Sequence, residues 1–180
     1  MIINGNDLLQ LSPIIDMEPE KIKGPITSYG LGEAGYDIRI KQNLIFRPTQ
    51  FNIHGHTVFH ESYSIWDADK IETHADSKHG HFALASSIEE FFMPVNVVGI
   101  VHDKSTWARM GLSVFNTVIE PGWKGFLTLE LVYHGVLPLI IPAGSGIAQV
   151  IFHETSEDAE YEGKYQHQAN EPVKAISSGG

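Results

Sequence analysis

A chain of 180 residues with 42% hydrophobic and 10% aromatic residues is long enough for one domain with a substantial core. It carries no cysteine, which excludes disulfide staples and every thiolate metal site, and its net charge of −10 argues against non-specific binding to a nucleic-acid backbone. No apolar run approaches the length of a membrane span, and the opening "MIINGNDLLQL" lacks the basic, apolar and small-residue order of a secretory signal, so the expected compartment is the cytoplasm.

In chain order, the first expected element is a short helix over Asn6 to Gln10, capped by Asn6 and ended by Pro13. From there short apolar or alternating runs recur. They are Tyr36 to Ile40, Leu44 to Phe46, His81 to Ala85, Val97 to Val101, Phe126 to Val132, Leu137 to Ile141 and Ile147 to His153, most of them separated by Gly, Pro, Asn or Asp. Short strands at this spacing predict an all-β sandwich, jelly roll or distorted barrel. One segment breaks the pattern: Ser105 to Met110 in "DKSTWARMG" suits one or two helical turns, entered at Asp103 or Ser105 and stopped by Gly111. Its start would gather free N–H groups, Lys104, the Ser105 and Thr106 hydroxyls and Arg109, a set suited to phosphate; a capped, solvated connector explains it equally well. The polar tail from Glu154 to Gly180 reads as a mobile arm of the single 1–180 domain.

Ten histidines raise the question of a metal. "HGHTVFHE" sets His54, His56, His60 and Glu61 at the spacing of a cupin-like site, with His54 and His56 on one strand face. The glycines that flank that motif are missing, and "GSGIAQVIF" has no histidine to complete it, so no functional metal is expected here. "HADSKHGH", His74 to His81, reads equally as a hydrophilic loop leading into a strand.

A sharper question sits in "IEPGWKGFLTLELVYHG". If Phe126 to Val132 is extended, Leu127, Leu129 and Leu131 share one face, and Phe126, Thr128 and Glu130 the other. A carboxylate in a half-buried strand is costly unless solvated or met by a polar pocket, and on the strand pattern alone the solvated face is favoured.

The ordered motifs "SYGLGEAGYDIRI", "DKSTWARMGL", "IEPGWKGFLTLEL", "GSGIAQVIF" and "GKYQHQ" change that balance. Over Ser28 to Gln168 the chain resembles the dCTP deaminases of the dUTPase-like superfamily. The resemblance implies a distorted β jelly-roll protomer with a few short helices, a homotrimer with active sites between subunits, and a triphosphate bound with Mg²⁺. It implies no zinc. The family's catalytic glutamate falls on Glu130, which would take a proton from the water attacking C4 of cytosine and pass protons to N3 and the departing amino group. Ser105 and Arg109 match the serine that positions water or phosphate and the arginine near the glutamate, where a guanidinium would favour the ionised carboxylate. Lys104 and Thr106 match phosphate-side positions, Gln149 the strand lining the nucleotide, Glu120 the contact to the deoxyribose 3′-hydroxyl, and Trp123 the turn beneath the sugar. Thr117 lies in the 114–117 segment that holds the water and reads the base. Tyr161, Lys164, Tyr165 and Gln168 resemble the arm that closes over the triphosphate.

The chain departs from the family pattern at several points. Val118 replaces a common proline, Gly122 a frequent glutamate and His167 the glycine of the arm motif, whose loss is expected to stiffen the arm. Asn116 stands where small or apolar residues are usual, which suggests tolerance of a 5-modified cytosine. The rival readings are a dUTPase or a bifunctional enzyme acting on dCTP and dUTP, a non-catalytic nucleotide-binding regulator, and the cupin-like metal protein. In relatives dTTP inhibits, and it is carried here as a possible ligand.

Overall fold

The computed structural model describes residues 1–47 and 82–177 with their side chains, and between them the backbone of residues 49–53, 56–60, 62–66 and 70–76. The chain opens with β1 (Ile2–Ile3), α1 (Gly5–Leu11), β2 (Lys21–Ile22), β3 (Tyr29–Leu31), β4 (Tyr36–Arg39) and β5 (Asn43–Arg47). Four strands follow, β6 (Thr49–Ile53), β7 (His56–His60), β8 (Ser62–Trp66) and β9 (Lys70–Asp76), then β10 (Phe82–Phe92) and β11 (Val97–Asp103). The last third holds α2 (Ser105–Arg109), β12 (Leu112–Val114), β13 (Val118–Ile119), β14 (Lys124–Tyr133), β15 (Leu139–Ile141) and β16 (Gly146–Glu154). The architecture is mainly β, as the recurring short apolar runs predict. The side chains of the His54, His56, His60 and Glu61 group lie outside the described residues.

A seven-stranded sheet runs β13-β11-β16-β4-β3-β2 with β1 also on β16, and a three-stranded sheet runs β10-β14-β12. Both feed one core: Tyr36 and Ile38 of β4, Val150 and Phe152 of β16, Ala83 and Ala85 of β10, and Leu129 and Leu131 of β14 are buried together. A third sheet orders β15-β5-β9-β8, with β5 and β9 parallel.

Several boundaries differ from the sequence reading for identifiable reasons. Helix α1 takes Asn4 rather than Asn6 as its cap, and Ser12 closes it in the left-handed conformation at φ 48°, with its N–H on the Leu8 carbonyl, just before Pro13. Helix α2 is entered from Lys104, because the Asp103 carboxylate is used elsewhere, accepting from the Val114 N–H at 2.7 Å. Strand β15 begins at Leu139 rather than Leu137, directly after Pro138, which has no N–H to give a ladder.

Strand β10 runs on to Phe92, well past the expected end at Ala85. Its polar residues Ser86, Ser87 and Glu89 are buried, which no apolar alternation signals, and each finds a partner. Ser86 is paired with the Gln42 amide at 2.8 and 2.9 Å. Glu89 accepts from the Arg39 backbone N–H and from Arg39 Nε, both at 2.7 Å. Burial pushes the Glu89 carboxyl above its ordinary value even though these bonds from Arg39 pull it down. Arg39→Ala strands that buried acid without its partner, so it lowers stability by about 3 kcal/mol and Tm by roughly 10 °C, read by thermal unfolding.

Candidate active site

Strand β14 supplies the base of the site. Leu129 and Leu131 are fully buried while Glu130 between them is half-buried on the opposite face, as the alternation predicts. Leu127 departs from it. The β10–β14 register is irregular between Ser86, opposite Thr128, and Glu90, opposite Phe126, so β10 carries extra residues opposite Leu127. At this bulge Leu127 turns to line the same cavity as Glu130.

That cavity, of about 370 Å³, brings together Thr117, Glu120, Trp123, Glu130, Tyr161, Tyr165 and Gln168 from the sequence-based site. Phe82, Leu84, Val118 and Ile119 complete an apolar wall, and Thr128, Val173 and Ala175 also reach it. The sequence reading missed Phe82 and Leu84, whose signal was the strand alternation of β10, and Val173 and Ala175, which carried none. Burial pushes the Glu130 carboxyl above its ordinary value. The carboxylate therefore points into a concave site, as the motif resemblance implies and against the solvated face that the strand pattern alone favours, and desolvation acts on it there.

The tail is drawn onto β14 by backbone and side-chain bonds. Trp123 Nε1 donates to the Tyr165 carbonyl at 2.6 Å, the Lys124 N–H to Gln166 Oε1 at 2.7 Å and the Phe126 N–H to the Gln168 carbonyl at 3.1 Å. Gly125, at φ +131°, makes this possible: a Cβ there would lie 2.6 Å from the Gln168 nitrogen. His167 holds φ 60°, the left-handed region in which the family pattern has glycine, while its N–H reaches the Lys124 carbonyl at 2.8 Å. Lys164 donates to the Ile176 carbonyl and sits 5.2 Å over the Tyr165 ring, so its charge is turned toward the tail.

Lys104, Ser105, Thr106, Arg109 and Gln149 do not line this cavity within the chain. Helix α2 is anchored by Trp107, buried, with Nε1 donating to the Gly146 carbonyl at 2.7 Å. Around that anchor Ser105, Thr106 and Arg109 are exposed, and among the described residues their side chains make no hydrogen bond or ion pair. Lys104 is paired with the buried Asp37, beside Gln149 on the adjoining strand. The expectation that Arg109 holds Glu130 ionised is not met inside one chain, where burial alone acts on that carboxyl. Among the described residues no group of three or more His, Asp or Glu side chains could hold a metal ion. No helix among them is long and apolar enough to cross a membrane.

A family model described as dCTP deaminase-like matches residues 10–155. The chain belongs to the dCTP deaminase-like family. Curated relatives of this dCTP deaminase-like chain include the dCTP deaminase of Roseiflexus castenholzii, 39% identical over 154 residues that cover 83% of both chains. Another is the dCTP deaminase of Protochlamydia amoebophila, 38% identical over 166 residues covering 88% of this chain and 86% of that one. Among solved structures, the 2′-deoxycytidine 5′-triphosphate deaminase of Agrobacterium tumefaciens superposes with a TM-score of 0.52 at 16% identity, over 84% of this chain and 47% of that one, a likeness of fold. The dCTP deaminase-like fold thus agrees with the expected distorted β architecture.

Proposed function

We propose that this chain is a dCTP deaminase, converting dCTP and water to dUTP and ammonia. The observation that carries the reading is the Glu130 carboxyl, half-buried in a concave site with its proton affinity raised by desolvation, in a chain of this family. Water adds to C4 of cytosine while Glu130 takes its proton. The carboxyl delivers that proton to N3, then takes the proton of the new C4 hydroxyl and passes it to N4, so the C4–N4 bond breaks, nitrogen leaves as ammonia and a C4 carbonyl remains. Thr117 lies in the segment that holds the water and reads the base, Glu120 meets the sugar with Trp123 beneath, and Tyr161, Tyr165 and Gln168 bring the arm over the nucleotide. Mg²⁺ enters as the counterion of the substrate's triphosphate. dTTP, sharing sugar and triphosphate, would compete for the same cavity, and we assign the reaction to the cytoplasm.

The division of the site residues supports assembly into a homotrimer. Ser105, Thr106 and Arg109 are exposed and do not line their own cavity, and the exposed apolar Met110, Phe115 and Leu137 offer surface for a neighbouring copy. In this reading α2 of one subunit completes the cavity of the next. The phosphates draw Lys104 from Asp37, and Gln149 lines the nucleotide beside it.

Incubation of the protein with dCTP and Mg²⁺ tests the assignment. The expected result is ammonia released in step with dUTP. Appearance of dUMP and pyrophosphate from dCTP would make the enzyme bifunctional, and cleavage of dUTP without any ammonia from dCTP would overturn the deaminase reading.

A further inference from the structure

Strand β12 pairs with β14 through Leu112 opposite Tyr133, Ser113 opposite Val132 and Val114 opposite Leu131. The Phe115 N–H continues that ladder onto the Glu130 carbonyl at 2.8 Å, and there the chain peels away from the sheet. One residue later a side chain takes over from the backbone. Asn116 Oδ1 accepts the Glu130 N–H at 2.9 Å, and Asn116 Nδ2 donates to the Thr128 carbonyl at 2.6 Å. Both main-chain polar groups of Glu130 are therefore held by residues 115 and 116, and the carboxamide spans β14 on the N-terminal side of Glu130, beyond the last β12–β14 pair.

The geometry points to Asn116 as a positioning residue that fixes the direction of the Glu130 carboxyl, a role that rests on the deaminase reading. An amide side chain can do this because it presents one donor and one acceptor in a plane, like a peptide unit. The backbone at Glu130 sets where its carboxyl points, and misplacement by about 1 Å costs on the order of a hundredfold in rate. The same carboxamide joins β14 to the segment that continues through Thr117 to Glu120, tying the acid to the sugar side of the cavity. Asn116 also lines the cavity, and with both ends of its amide on the backbone it acts through Glu130.

Asn116→Val, which keeps the size and removes both bonds, is the test. The expected result is a kcat lower by about tenfold to a hundredfold with KM within about twofold, and faster hydrogen exchange in the peptide spanning residues 126–133. Unchanged kcat, or unchanged exchange, would overturn the role. Asn116→Asp provides a second arm: it keeps the acceptor, loses the donor and adds a like charge at the cavity of Glu130. The carboxylate oxygen left facing the Thr128 carbonyl repels it, so kcat should fall at least as far as in Asn116→Val, and the acid limb of its kcat/KM profile should move to higher pH. A wild-type acid limb and rate in that variant would overturn the role as well. Should the wild-type protein release no ammonia from dCTP, the functional reading fails by itself, while the exchange measurement still decides whether the clamp exists.

Discussion

Glu130→Gln should bind dCTP with nearly wild-type affinity and release ammonia about a thousandfold more slowly. The carboxamide fills the same space but neither accepts the proton of the attacking water nor returns it to the leaving amine. Burial raises the wild-type carboxyl above its ordinary value of 4.5, which brings the base closer to neutrality, where a proton acceptor and donor in one group works best. The sign for activity follows from protonation: as pH falls through the carboxyl's pKa, Glu130 gains a proton and kcat/KM declines. For stability the sign is opposite. The folded state holds this proton more tightly than the unfolded chain, so the contribution of Glu130 to stability is present at low pH and lost as pH rises through the raised value. Glu130→Gln, neutral throughout, should match or exceed the wild-type Tm at pH 7. A variant that keeps its rate would leave Glu130 as a binding residue only and move the proton transfers to another group.

The second large effect tests the shared site. Arg109→Ala should be nearly inactive by itself, losing about a hundredfold in kcat/KM, even though Arg109 does not line the cavity formed by its own chain. Mixing this variant with Glu130→Gln, after dissociation and reassembly, should restore activity. In randomly mixed trimers a site has an intact Glu130 with probability one half and an intact Arg109 from the neighbouring chain with the same probability, so about a quarter of wild-type activity returns. Two variants damaged in the same chain's site would not rescue each other. Co-assembled trimers without recovery would therefore assign both residues to one subunit and remove the composite site.

Much of this protein is legible from local pattern. Alternation along β14 separates Leu129 and Leu131 from Glu130, because side chains on a strand point to opposite faces whatever the fold around them. The motif order identifies the family from Ser28 to Gln168, and the matched residues 10–155 agree with it.

What local pattern cannot carry is pairing between distant segments. The extension of β10 depends on Ser86 and Glu89 being met by Gln42 and Arg39, more than forty residues away, and buried polar side chains read as loop until their partners are known. The bulge that turns Leu127 into the cavity is set by the register between two strands. Asn116 reads as a departure from a motif in the sequence and becomes a clamp on Glu130 only where β12 leaves the sheet. The raised proton affinity of Glu130 belongs to the same class, since desolvation depends on what closes over the carboxyl. By itself the sequence determined a mainly β chain, the place of several of its strands and the chemical groups available. The tertiary structure decided which of those groups meet in one cavity and which are left facing outward, because that depends on long-range register and on burial that no single segment contains.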